Sequence, residues 1–287
     1  MHYMADFFRS SDDRLNLRRH RWLPDSKTDS NAAVRGVVVF AHGILEHGAR
    51  HGNWASRLAE QGIAVTALDH RGHGESEGER VWVDRFELFV DDLMRLTEWS
   101  CGEFPDIPVF LMGFSMGGAI VAQSWRLRRP PVDGLILTAP ALHTSLFPIL
   151  RHIAPFVDRL VPRLRLFDLG TARKISRDRS AADAFRADPL VHHGAFPMHI
   201  GAETLRASRE INRDFAAFDL PILMLHGTGD AITGIVGCER MYAGVPSQDR
   251  TLHRYDGGYH DLLHELPPTR EQVVADLLAW LEPRLRR

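Results

Sequence analysis

IPVFLMGFSMGG, residues 107–118, decides the fold. IPVFLM is an apolar run of strand length, and the AIVAQSWRLR that follows at 119–128 has the composition and length of a helix. Between them Gly113, Gly117 and Gly118 crowd around Ser115. A chain that passes from strand to helix within two residues has no room for Cβ atoms at the corner, which is why glycine is needed there. The pattern G-x-S-x-G in this context holds the serine in a strained turn that projects its hydroxyl away from the main chain. The helix start behind it lends partial positive charge. Ser115 is therefore the candidate nucleophile.

The pattern alone is short enough to arise by chance, and Gly74-Glu75-Ser76-Glu77-Gly78 repeats it. There HRGHG separates the pentapeptide from the preceding strand, and the charged ERVWVDR follows in place of an apolar helix. The required context is missing, so Ser76 is rejected.

Working outward, strand-length apolar runs alternate with amphipathic helical stretches, the signature of a mostly parallel sheet flanked by helices. Residues 7–24 predict two short strands around a polar turn. Strands are then expected in 34–43, 63–74, 107–112, 134–142, 220–230 and near 250–255. Helices are expected over 53–61, 84–100, 115–128, near 235–243 and 268–285. Between about Leu142 and Phe215 the rhythm stops. That stretch holds proline-punctuated helical pieces and no strand-like run, so one α/β domain spanning 1–287, with a helical cap inserted at about 142–215 after the sixth strand, is the simplest organisation.

A serine hydroxyl attacks only when an imidazole accepts its proton, and the imidazole needs a carboxylate to fix its tautomer. Asp230, at the end of ILMLHGTGD, and His260, in YDGGYHDLLHE, both follow strands and stand in the order serine, acid, histidine. Asp256 and Asp261 flank the base too closely, and Asp219 precedes its strand. His264, one turn beyond His260, is expected on a helix surface. The loop HGILEH (42–47) follows the strand VVVF and offers the backbone N–H of Ile44 opposite that of Met116, a candidate oxyanion hole. His42 reads as a structural hydrogen-bonding residue. A metal reading of His42, His47 and His51 rests on four-residue spacing, which can bind zinc on a helix, but Gly43, Gly48 and Gly52 break any helix there, so no metal site is expected.

Thirty-five basic and 37 acidic residues give a formal charge of -2, which argues against a nucleic-acid binder. Cys101 and Cys238 form no framework, and a reducing compartment is compatible with them. The opening MHYMADFFRSSDD lacks the apolar core of a signal peptide, and no apolar run reaches membrane-spanning length. A cytoplasmic location, with room for peripheral membrane contact through the cap, is the expectation.

The segments HGILEH (42–47), DHRGHGESEG (69–78), GFSMGG (113–118), DPLVHHG (188–194), HGTGD (226–230) and YDGGYHDLLHE (255–265) resemble the monoacylglycerol lipase and lysophospholipase group of α/β-hydrolases. The resemblance runs over nearly the whole chain. It implies the α/β-hydrolase fold, a cofactor-free acyl-enzyme mechanism, a fatty-acyl ester as substrate, and a cap that forms the acyl tunnel and touches lipid. In that group the first loop reads HGxGEH, whereas Leu45 stands here at the second glycine, making a bulkier pocket wall. Short-chain esterase, thioesterase, lactonase, C–C hydrolase and acyltransferase chemistry on the same three side chains stay open. Oligomeric state is not legible.

Leu146, Ile149, Leu150, Ile153, Phe156, Val157, Leu160 and Leu164 recur at helical spacing with Arg151, Arg159, Arg163 and Arg165 among them. Two expectations stand side by side: these residues pack on the core, or they form a basic amphipathic lid. Pro148, Pro155 and Pro162 argue against one long helix.

Overall fold

The computed structural model describes residues 1–25, 34–144, 157–167 and 172–285. Eight strands form one sheet in the order β1-β2-β4-β3-β5-β6-β9-β10, comprising β1 (His2–Arg9), β2 (Asn16–Leu23), β3 (Gly36–Ala41), β4 (Ile63–Leu68), β5 (Val109–Phe114), β6 (Gly134–Thr138), β9 (Ile222–Gly227) and β10 (Arg250–Tyr255). β1 and β2 are antiparallel additions at one edge, and the other six strands run parallel. β3, β4, β5, β6 and β9 are buried at every residue. A parallel sheet covered on both faces demands this, and it explains why these strands read as unbroken apolar runs.

The pleat divides their side chains between two cores. Val37, Val39, Ala41, Val109 and Leu111 face one layer, packed by helices α2 (Glu87–Glu103) and α3 (Met116–Arg128). Val38, Phe40, Phe110 and Met112 face the other, with Trp54 and Leu58 of α1 (Gly52–Glu60) and Val273 and Leu277 of the terminal helix α8 (Pro267–Leu281). The alternation is the period-two pattern of a strand, here buried on both sides.

Between β6 and β9 the described chain carries β7 (Arg165–Phe167), α4 (Ala172–Ile175), α5 (Arg179–Ala187), β8 (Phe196–Pro197) and α6 (Met198–Arg213). β7 and β8 pair antiparallel, so the strand-free reading of 142–215 is corrected. Three residues and two, one of them Pro197, are too few to produce a period-two signal. Helix α7 (Val236–Gly244) connects β9 to β10. Of the apolar residues noted at helical spacing, Leu160 and Leu164 are exposed, together with Val161, and Arg159, Arg163 and Arg165 are exposed among them. Leu146, Ile149, Leu150, Ile153, Phe156, Arg151, Pro148 and Pro155 lie outside the described residues.

Candidate active site

The parallel strands deliver four loops to one end of the sheet, the carboxyl end, where open α/β sheets place their ligands. Ser115 follows β5 directly, with φ 55° and ψ −117°, a conformation that side chains rarely adopt. The surrounding structure enforces it. A Cβ on Gly113 would lie 2.2 Å from the Gly117 carbonyl oxygen, and one on Gly117 would lie 2.0 Å from that of Ala41. Ser115 also donates its N–H to Thr138 O and receives Ala141 N–H on its own carbonyl. Strain at one residue is thus held by its neighbours.

His260, beyond β10, brings Nε2 to 2.9 Å from Ser115 Oγ. Its Nδ1 lies 2.7 Å from Asp230 Oδ2. The ring of Phe114 packs 4.9 Å away, centre to centre. The three side chains, remote in sequence, form one continuous chain of hydrogen bonds and are all nearly closed to solvent. Asp230 is fixed by its other oxygen, which accepts the N–H groups of Ile232 and Thr233, and by Thr233 Oγ1, which donates to Oδ2. Burial alone would raise the Asp230 carboxyl, but the His260 and His226 imidazoles outweigh it and hold it well below the usual carboxylate range. It stays ionised.

The other acids are occupied elsewhere. Asp261 accepts from His264, Asp219 from Arg129, and Asp256 from Thr228. His264 departs from expectation: it ends a 3-10 turn, Leu262–His264, with Nδ1 on Asp261 and Nε2 on the Arg50 carbonyl. A tight turn in place of an α-helix leaves it packed between loops, not facing outward from a helix.

Met116 is the first residue of α3, so its N–H has no intrahelical carbonyl to bond and lies at the positive end of the helix dipole. Ile44 sits in the loop after β3, half-buried. Glu46, unnoticed in the sequence, ties that loop together: it accepts Gly43 N–H at 2.7 Å and pairs with Arg50 and His51. Leu45 has φ 71°, so a leucine occupies a left-handed position. This is the place where the resembling group has glycine. The chain after α5 docks on the same loop, with His47 Nε2 2.8 Å from Asp188 and His192 N–H donating to Leu45 O.

His42 accepts His70 N–H on Nε2 and donates from Nδ1 to Gly43 O. With His47 on Asp188 and His51 on Glu46, the three imidazoles face separate partners. Among the described residues Asp158, His199 and Glu203 bring potential ligand atoms within 4.8 Å of one another, and this group shares no residue with the Ser115 chain. His199 is hydrogen-bonded to Asp158 at 2.8 Å, and Glu203 accepts from Phe86 N–H and Arg206.

A family model described as serine aminopeptidase, S33, matches residues 32–267. The chain is 35% identical over 267 residues to a monoacylglycerol lipase of Mycolicibacterium smegmatis, covering 92% of each. It is 32% identical over 256 residues to a monoglyceride lipase of Rattus norvegicus, covering 88% of this chain and 84% of the relative. A crystal structure of the Paleococcus ferrophilus monoacylglycerol lipase superposes with a TM-score of 0.78 at 27% identity, over 92% of this chain and 98% of that one.

Proposed function

This chain belongs to the serine aminopeptidase S33 family of α/β-hydrolases and is a carboxylic ester hydrolase of the lipase type, and we infer that its substrates are monoacylglycerols. The observation that carries the catalytic part is the unbroken chain Ser115 Oγ, His260, Asp230, with links of 2.9 and 2.7 Å. His260 takes the hydroxyl proton as Oγ attacks the ester carbonyl, and Asp230 stabilises the imidazolium. The N–H groups of Ile44 and Met116 receive the oxyanion, each worth about 3 kcal/mol to the transition state. His260 then protonates the leaving alcohol, and a water activated by the same imidazole releases the fatty acid.

Residues 142–215 act in this reading as a cap over the acyl chain. Leu160, Val161 and Leu164, exposed beside Arg159 and Arg163, support contact with an anionic lipid surface. No helix of the described residues is long and apolar enough to cross a membrane, so contact would be peripheral. Sedimentation with anionic liposomes, reduced in a Leu160→Ser, Leu164→Ser variant, checks this.

A lysophospholipid is the second reading. It is favoured by a groove lined by Ser176, Arg177, Arg179, Asp183, Arg186 and Tyr259, where arginines adjoin the residue preceding the base. Product analysis with monoacylglycerol, lysophospholipid and a short nitrophenyl ester tests both. The highest kcat/KM is expected on monoacylglycerol. A preference for lysophospholipid selects the second reading, and turnover of the short ester alone rejects both.

A further inference from the structure

Asp230 is approached by a second imidazole. His226, at the end of β9, is wholly buried, and its Nε2 lies 3.2 Å from Asp230 Oδ2 and 2.9 Å from the Thr233 carbonyl oxygen. Its Nδ1 lies 3.2 Å from the sulfur of Cys238, on α7, also wholly buried. One carboxylate oxygen is therefore shared by His260 Nδ1 at 2.7 Å, Thr233 Oγ1 at 2.8 Å and His226 Nε2 at 3.2 Å. The reaction described above uses only the first. An apolar side chain would fill the same place without the cost of burying an imidazole.

The proton inventory is constrained. Nε2 of His226 faces two acceptors, Thr233 O and Asp230 Oδ2, so it carries hydrogen. Nδ1 faces a thiol, which donates to a bare nitrogen or accepts from a protonated one. Either way, an N–H is aimed at Asp230. We propose that His226 is a positioning residue for ester hydrolysis: its Nε2–H draws charge from the Asp230 oxygen that binds His260, and so sets how readily His260 takes and returns its proton. Cys238 occupies the other ring nitrogen and so holds the imidazole with Nε2 toward the carboxylate. The proposal rests on the reading of Ser115, His260 and Asp230 as the catalytic triad.

Electrostatics agree. Burial would push His226 down, but its bonds to Asp230 and Cys238 outweigh this and raise it to about 10. The titratable groups facing the site are Asp230 from the loop after β9, Cys238 from α7 and His260 from the loop after β10. The neutral side chains are Thr233 and, at the end of β5, Phe114 and Ser115.

The sign of the effect follows. Without His226 the Asp230 oxygen keeps more negative charge, His260 holds its proton more tightly, and the acid limb of the rate profile moves to higher pH. The test is the pH profile of kcat/KM on a nitrophenyl ester for wild type, His226→Phe and His226→Gln. His226→Phe is expected to move the acid limb upward and to lower kcat at pH 8 about tenfold, with KM little changed. The Gln amide still donates a hydrogen, so His226→Gln should recover most of kcat, with the limb between the other two. Where His226→Phe fails to fold, the limb of His226→Gln decides.

An unmoved limb in folded variants overturns the proposal, because a merely structural histidine would alter stability or amplitude and leave the limb in place. Phosphonate labelling of wild-type Ser115 runs alongside. Absence of labelling overturns the triad reading itself, whereas labelling with an unmoved limb removes only the role of His226.

Discussion

Two pentapeptides in this chain, 74–78 and 113–117, share the pattern G-x-S-x-G, and the molecule uses them for opposite ends. Ser115 has a strained left-handed backbone, a helix start behind it and an imidazole 2.9 Å from its hydroxyl. Ser76 spends its hydroxyl on the fold, donating to the Asp69 carbonyl at 2.6 Å and accepting Arg18 N–H at 2.8 Å. The glycines differ too. Main-chain carbonyls fill the space a Cβ would take at Gly113 and Gly117, whereas Gly74 and Gly78 have φ of 49° and 111° and turn the chain, Gly74 directly against the Asp69 carboxylate. A serine's chemistry is set by what strand and helix put around it, and the pentapeptide alone carries little of that information.

The largest expected contrast comes from removing each hydroxyl. Ser115→Ala should lower kcat by about 10⁴-fold or more with stability close to wild type. Ser76→Ala should keep its kcat and lose about 1–3 kcal/mol in urea unfolding, because two buried polar groups lose their partner. Comparable losses of kcat in the two variants would erase the distinction.

A smaller contrast is expected in acid. The loop leading to Ser76 buries His70 and His73 against His42, and burial pushes His70 down to about 3, His73 to about 4 and His42 well below its ordinary value. The unfolded chain takes up these protons near pH 6.5, and the folded protein does so only far lower. Stability should therefore fall steadily from about pH 6.5 to about 5, before the carboxylates titrate. Urea midpoints at pH 7, 6 and 5 measure this, and a flat midpoint contradicts it. At the Ser115 site the His260 and His226 imidazoles instead hold the Asp230 carboxyl well below the usual carboxylate range, so its charge persists through the same interval.

The smallest effect is expected beside Ser115, at Leu45. Its left-handed backbone costs about 1 kcal/mol, while burying its side chain contributes about 1.5–3 kcal/mol. Leu45→Gly relieves the first and forfeits the second, so a net loss of about 0.5–2 kcal/mol is expected. A gain in stability would mean that strain in this loop outweighs burial.

These contrasts separate what the sequence encodes locally from what only the folded chain brings together. β3, β5 and β9 were legible because full burial turns them into apolar runs, and Ser115, Asp230 and His260 because strand ends and chain order limit the candidates. The β7–β8 pair was illegible because five residues, one a proline, make no period. His226 was visible only as a histidine on a strand; that it points at Asp230 depends on a turn closed by Thr233, which no spacing rule encodes. Glu46 escaped notice for the same reason, since its value lies in a return to Gly43 N–H across one tight loop. Leu45 was half-legible: a bulky residue at a glycine place flagged the site, and the left-handed φ explains why glycine is usual there.

The central claim is that Ser115, not Ser76, is the attacking residue. Treatment with an activated alkyl phosphonate, followed by peptide mass analysis, tests it most directly. One phosphonyl group on the Ser115 peptide, tracking loss of esterase activity and absent in Ser115→Ala, is the expected result. Modification of Ser76, or inactivation with the Ser115 peptide unmodified, would contradict it.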